Sequence, residues 1–349
     1  AGFDPLVGWG AGEHVHEPLI QSTLIATDNN LAFVNDLATD YGCSEDGLTW
    51  TFHIREDVMF TDGVPLTAED VAFTINGIVN GEAAEADLSM VDEARAVDAT
   101  TCEIAMKRPN NALLYTLAVV GIVPAHAYGP DYGEHPIGSG RYMLEQWDKG
   151  QQVILKANPD YYGEAPKIER VVAVFMEEDA SLAAAQSGQV DVAYTSATFA
   201  AQQPAGYDLL NCASVDSRGI SLPTIPAGAK KTDEKGEAAA GNDVTCDVAV
   251  RQAINYAINK EALAKVAFSG YAFPSEGPLP QGVDYAVKLG PWPYNPKKAK
   301  ELLAEAGYPN GFETTLWSAY NHTTGQKVIQ FIQQQLAQVG IKAQVQALE

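Results

Sequence analysis

The sequence predicts an α/β protein built on more than one sheet, and three observations carry that reading. Strand-like alternation and helix-like periodicity take turns in both halves of the chain. The G-x-G at Gly138 and Gly140 is followed by alternating residues that read as a hairpin, where a nucleotide loop requires a helix. No repeat of solenoid period is visible. With 349 residues the chain is too long for one small core and reads as two or three lobes.

The elements follow in order. "SEDG" is a turn, and "LTWTFHIR" alternates as a half-buried strand with Leu48, Trp50, Phe52 and Ile54 on one face. "PLTAEDVAFTINGIV" reads as a helix: Thr67 caps it, Glu69 and Asp70 sit in its first turn, and Val71, Ile75 and Ile78 share a face. "TTCEIAMKRP" is a strand and "NNALLYTLAVVG" a helix. "RYMLEQW" and "QQVILKAN" are two strands around a "DKG" turn, and "IERVVAVFM" is a third. "EEDASLAAAQSGQVDVAYT" predicts a short helix, a turn at Gly188 and an apolar strand ending at Tyr194. From Ile225 to Thr245 no apolar period survives, which marks a surface loop. "DVAVRQAINYAINKEALAKVAF" is one amphipathic helix pattern, and "YNPKKAKELLAEAGYPNG" is another that stops at Gly307. "FETTLWSAY", "TGQKVIQFIQQQLAQVG" and "IKAQVQALE" then predict strand, helix and strand.

Charge and motifs exclude several function classes. The net charge is −23, from 45 acidic and 22 basic residues, which argues against phosphate-backbone contacts and so against nucleic acid. No apolar run approaches the ~20 residues of a membrane span, and no signal peptide is visible. There is no G-x-S-x-G and no H-E-x-x-H, and no nucleophile–base pair stands out. The G-x-G lacks its final glycine and reads as a sharp bend. Acid pairs such as Glu177 and Glu178 read as a solvated helix start. Cys43, Cys102, Cys212 and Cys246 include no CxxC pair; their even number allows two disulfides or four buried thiols.

Two constellations remain as candidates. In "EHVHEP", His14 and His16 would share a face on a strand, and imidazole suits nickel, copper or zinc; further ligands would have to come from elsewhere, with His322 in the predicted loop "AYNHTTG" one candidate, and two loop histidines that bind nothing is the alternative. Tyr194, Trp317 and Tyr320 lie at the carboxyl ends of predicted strands, where ligands of open α/β sheets sit; core packing is the alternative.

The ordered motifs "LATDYGCSEDGLTWTFHIREDVMFTDGVPLTAEDVAFT", "IVPAHAY", "PIGSGRYMLEQWDKGQQVILKANPDYYGEAPKIERV", "AAAQSGQVDVAYT", "VRQAINYAINKEAL" and "YNPKKAKELLAEAGY" resemble the family 5 extracellular solute-binding proteins. These are the dipeptide, oligopeptide and nickel receptors of ABC importers. The resemblance implies a two-lobed, periplasmic-binding-protein-like (type II) fold with a small third lobe inserted in the first. Residues 1–38 and 138–250 would form the first large lobe, 39–137 the small one, and 251–349 an incomplete second lobe. The chain would be trimmed at both ends. Gly138, Ser139 and Gly140 would form the bend where the chain re-enters the main sheet.

The resemblance further implies a receptor and not an enzyme, monomeric, with no cofactor. It would sit in the periplasm or on the outer face of the membrane, anchored by lipid through a removed N-terminal segment. It would close on its ligand and dock on a membrane permease. The position before "EPL" lies in the family's cleft, so His14 and His16 are expected to contact a nickel chelate; a short peptide is the alternative ligand. The expected cleft lining is His14, His16, Tyr194, Thr195, Arg218, Trp317 and Tyr320, with Arg218 offering a cation to a carboxylate or else forming a surface ion pair. Disulfides are expected at Cys43–Cys102 in the small lobe and at Cys212–Cys246 beneath the long polar loop.

Overall fold

The computed structural model describes residues 2–8, 18–81, 86–197, 199, 202–212, 216–229, 240–279, 286–290, 292–319 and 322–347. The chain divides into two compact units, residues 1–175 and 176–349.

In the first unit, β1 (Ile25–Thr27) and β2 (Phe33–Asn35) form an antiparallel pair. β3 (Ala38–Cys43) and β4 (Thr49–Ile54) follow, then α1 (Ala68–Val79), β5 (Val91–Asp98) and β6 (Thr101–Met106). These four strands make one antiparallel sheet in the order β3-β4-β6-β5. The alternation read in β4 places Trp50, Phe52 and Ile54 in the core, while Leu48 lies outside the strand and is exposed. α1 begins at the expected Thr67, and the cap is reciprocal: Asp70 Oδ2 accepts from the Thr67 N–H at 2.9 Å. Asp70 Oδ1 accepts from the Ala125 N–H at 2.9 Å, so one buried carboxylate ties the helix start to the chain that leaves the lobe. Val71, Ile75 and Ile78 bury the inner face of α1 among the sheet's apolar residues. Asn76 spans outward to the edge strand, donating to the Ala94 carbonyl at 2.7 Å and accepting from the Ala94 N–H at 2.8 Å. That edge is therefore blocked against further pairing there.

After α2 (Leu113–Leu117) come β7 (Tyr142–Asp148), β8 (Gln152–Ala157) and β9 (Arg170–Val174), a three-stranded antiparallel meander. The hairpin read after the glycine loop is β7–β8, turning at Gly150 with φ +77°. A second core of Ile20, Tyr142, Val153 and Leu155 lies on this sheet.

The second unit contains α3 (Glu178–Gln186), α4 (Val248–Ala257), α5 (Lys260–Phe268), α6 (Pro296–Glu305), β10 (Glu313–Ser318), α7 (Thr323–Ala337) and β11 (Lys342–Ala347). β10 and β11 pair in parallel across α7, a strand–helix–strand unit. α4, α6 and α7 bury Val250, Ala253, Leu303, Ile332 and Leu336 together with Ile341.

Two elements differ from the sequence reading. The single helix expected over 247–268 is broken: Ile258 is extended, and the Asn259 side chain accepts from the Ala262 N–H at 3.0 Å, starting a new helix. An Asn inside an apolar period competes for backbone donors and restarts the helix. The strand expected over 189–195 is absent among the described residues, and its apolar Val192 and Tyr194 are exposed. β1, β2, β3 and β5 were not anticipated.

The cysteine pairings are corrected as well, for all four thiols are free. Cys43 lies opposite Trp50 and Cys102 opposite Phe52, on the two flanks of β4. Two strand spacings, roughly 9.5 Å, separate them, beyond the ~7 Å Cα limit for a bridge. Cys246 donates its thiol to the Asp243 carbonyl at 3.3 Å, within its own turn, and Cys212 is exposed. Burial pushes the Cys102 thiol up to about 12. Thiol titration is therefore expected to count four groups after denaturation without reductant. In the folded protein Cys43 and Cys212 should react fast and Cys102 should resist at pH 8. Fewer than four thiols in the denatured protein would restore a disulfide.

Candidate functional site

In the first unit the residues of interest are held by a buried run, Ile20 to Ile25. Its carbonyls are taken on every side. Leu19 accepts from Tyr142, Ile20 from Gly140, Ser22 from Ile122, Thr23 from Leu37 and Leu24 from Ala38, at 2.8–3.1 Å. This crossing explains the glycines. A Cβ on Gly138 would sit 1.9 Å from the Ile20 carbonyl oxygen, and one on Gly140 2.4 Å from that of Leu19. Neither glycine has a positive φ, so close passage of a second chain requires them, not an unusual backbone angle. The Gly140 N–H is committed to Ile20, and its carbonyl accepts from Asn158 Nδ2 at 2.9 Å. The loop is a structural crossing and not a phosphate cradle.

Residues 2–8 dock beside the same run. Gln21 Nε2 donates to the Phe3 carbonyl at 3.0 Å and to the Tyr132 hydroxyl at 3.1 Å. Asp4 accepts from the Leu6 N–H and from the Tyr128 hydroxyl, both at 2.9 Å. Burial first, and then the hydrogen bond to Asp4, push the Tyr128 hydroxyl up to about 12. The segments that flank positions 9–17 are thus both anchored. His14 and His16 themselves lie outside the described residues.

The "NPDYYG" turn is tied to the same region. The Tyr162 hydroxyl donates to Asp36 at 2.5 Å, and the Arg55 guanidinium lies 4.4 Å above the Tyr162 ring. Burial, then the Asp36 charge, raise the Tyr162 pKa.

In the second unit the candidate residues gather where β10 ends and α7 begins. Trp317 and Ser318 are the last residues of β10, opposite Gln346 and Ala347 of β11. Trp317 is 59 % exposed, on the open face of the pair with Glu313 and Thr315. His322 is the N-cap of α7, and its Nδ1 accepts from the Gly325 N–H at 3.2 Å. The first turn carries no acidic residue. Thr324, only 8 % exposed, has a buried Oγ1 without a partner among the described residues. A helix start without a first-turn acid, following a strand that ends in an exposed aromatic, is compatible with an organic carboxylate.

The remaining expected residues stand as follows. Tyr194 is 79 % exposed, and Thr195 beside it is half-buried, its Oγ1 without a partner among the described residues. Arg218 is exposed and pairs with Asp216 at 3.3 Å. Tyr320 lies outside the described residues. His322, a candidate metal ligand in a loop by the sequence, is the cap of α7; that capping role and the buried hydroxyl of Thr324 were not read from the sequence. The usable signal was "NHTTG" standing directly before the helical period, which is where a cap belongs. Among the described residues no group of three or more His, Cys, Asp or Glu side chains is gathered as a metal ion requires. Two shallow depressions, one over β3–β4 and one over the Glu313 end of β10–β11, do not include Trp317.

Residues 32–349 match the signature of the bacterial extracellular solute-binding proteins, family 5 Middle. The chain belongs to family 5. The glutathione-binding protein GsiB of Pectobacterium atrosepticum is 40 % identical over 339 residues, 93 % of this chain and 63 % of that protein. The chain thus spans less than two thirds of the length of this relative. Among solved structures, the family 5 chain superposes on DppA from Helicobacter pylori in complex with the peptide STSA (TM-score 0.78, 25 % identity), covering 100 % of this chain and 72 % of that one. It also superposes on NikZ from Campylobacter jejuni in complex with Ni(L-His) (TM-score 0.78, 23 % identity, 99 % and 71 % covered), a likeness of fold alone. The type II periplasmic-binding-protein fold expected from the sequence is present.

Proposed function

We propose that this chain belongs to an extracytoplasmic receptor that captures a small peptide-like solute of the glutathione class and hands it to the membrane permease of an ABC importer. The observation that carries the reading is the 40 % identity to a glutathione-binding protein over 93 % of the chain. The chemistry of the second unit supports it. The start of α7 has no first-turn acid to repel a carboxylate, and Trp317 offers an exposed face to the solute's body. Tyr194, Thr195 and Arg218 stay in the reading as further contacts. No covalent step is assigned to any residue. The receptor acts as a monomer outside the cytoplasm, with no cofactor of its own.

A nickel chelate is the second reading, favoured by the imidazole pair His14 and His16 before "EPL". The nickel-bound neighbour, at 23 % identity, shares only the fold, which places this reading second. The test is calorimetry of the full-length protein with glutathione, glutathione disulfide, a dipeptide and Ni–histidine. Heat with glutathione or the dipeptide, and none with Ni–histidine, is the expected outcome. Tight Ni–histidine binding without peptide binding would reverse the order.

A further inference from the structure

We propose that the four-stranded lobe of the first unit is a salt-responsive element, whose stability rises with ionic strength while that of the adjoining meander stays level. The charge of the first unit is not spread evenly. Residues 38–108, from the start of β3 to just past β6, carry 15 Asp and Glu against four Lys and Arg. Residues 141–175, which hold the meander, carry five against five. The two segments build separate cores, one among β4, β6 and α1 and the other on β7 and β8. The excess of negative charge therefore belongs to one sheet and its helix, and the neighbouring sheet is an internal control.

The lobe's own cations do not balance it. Arg55 pairs with Asp57 at 2.6 Å and Arg95 with Glu103 at 2.5 Å, so each offsets one acid. Lys107 donates to the Ser89 carbonyl at 3.2 Å. α1 has Glu69 and Asp70 in its first turn and no base in its last. From outside the lobe His126 meets Asp62 at 2.7 Å, and even a charged imidazole there would cancel one acid. The rest of the chain has no surplus to lend, for it holds 30 acidic and 18 basic residues. Size decides how much of the repulsion is felt. A segment of this length folds to a radius of gyration of about 11 Å and unfolds to about 26 Å. The Debye length is about 30 Å at 0.01 M salt and about 8 Å at 0.15 M. In dilute salt every charge on the folded lobe thus acts on every other, and at 0.15 M only near neighbours do. Unfolding spreads the charges, so repulsion opposes folding most where screening is weakest. The counterions stay diffuse: among the described residues no three His, Cys, Asp or Glu side chains gather as a bound cation requires.

This inference is independent of which solute the receptor binds. The experiment is amide hydrogen exchange of the full-length protein at pH 7.5 in 0.01 M and 0.15 M NaCl, corrected for intrinsic rates. Protection in β4 and β6 should rise at least about tenfold with salt, and in β7 and β8 less than about twofold. KCl should act as NaCl does at equal ionic strength. A triple variant, Glu45→Gln, Glu56→Gln and Asp92→Asn, changes three exposed side chains and lowers the lobe's excess from eleven charges to eight. Self-repulsion scales with the square of the charge, so the logarithm of the salt response should fall by about half. Glu164→Gln with Glu169→Gln, exposed in the meander segment, should leave the response of β4 and β6 as in wild type. An equal response in both sheets would overturn the proposal, as would a triple variant that responds like wild type. The full effect at micromolar Ca²⁺ or Mg²⁺ would mean a bound ion and would overturn it too.

Discussion

Replacing Gly138 by alanine is expected to cost about 3 kcal/mol of stability or more, beyond the usual range for overpacking. The added Cβ would lie 1.9 Å from a backbone oxygen, that of Ile20, and 3.1 Å from Cγ2 of the same residue. A flexible side chain could swing aside; a backbone carbonyl in a buried run cannot. The carbonyls of Leu19, Ser22, Thr23 and Leu24 are all bonded to neighbouring segments, and the Gly138 carbonyl accepts from the Thr61 N–H at 2.9 Å. Relief would therefore break several hydrogen bonds or open the core around Ile20. Gly150→Ala is the control. It turns the hairpin at φ +77° in open space, so only the left-handed backbone penalty of ~1–2 kcal/mol applies. Denaturant unfolding followed by a probe in the first unit checks both. A Gly138→Ala variant within 1 kcal/mol of wild type would show that the crossing can open at small cost.

The contrast between these two glycines also shows how far the sequence could be read. Gly150 sits in a "DKG" turn between alternating strands, and local patterning was enough to place it. Gly138 is required by residues 118 positions earlier in the chain, a contact that no local pattern encodes. The same division holds elsewhere. α1, with its cap, first-turn acids and apolar face, was legible because all three signals are local and agree. β5 was not, because its exposed residues Asp92, Glu93 and Arg95 interrupt the apolar alternation, and an edge strand held by Asn76 does not need it. The expected strand ending at Tyr194 failed for the converse reason. Its apolar residues fit a strand, but among the described residues they find no partner strand. In the candidate site, Trp317 could be placed at a strand end from its neighbours. The cap by His322 and the spare hydroxyl of Thr324 depend on how a helix start meets the end of a strand, which only coordinates supply.

Trp317→Ala is expected to weaken glutathione binding by about 30-fold, equivalent to ~2 kcal/mol, and to leave unfolding nearly unchanged. The two halves of this expectation have separate grounds. The indole is 59 % exposed and lies on the open face of β10, so its removal leaves no buried cavity. For the same reason it presents a broad apolar plane to solvent, where a peptide-like solute can cover it. A core tryptophan would show the reverse pattern, with stability lost and affinity following only through unfolding. The companion is the double variant His14→Ala with His16→Ala. Under the glutathione reading its affinity for glutathione stays within a few-fold of wild type, since no imidazole is needed to hold a carboxylate at a helix N-terminus. Under the nickel reading the same variant loses Ni–histidine while Trp317→Ala keeps it. Calorimetry of both variants with both ligands separates the cases. Wild-type glutathione affinity in Trp317→Ala would remove this residue, and with it the β10–α7 junction, from the solute site.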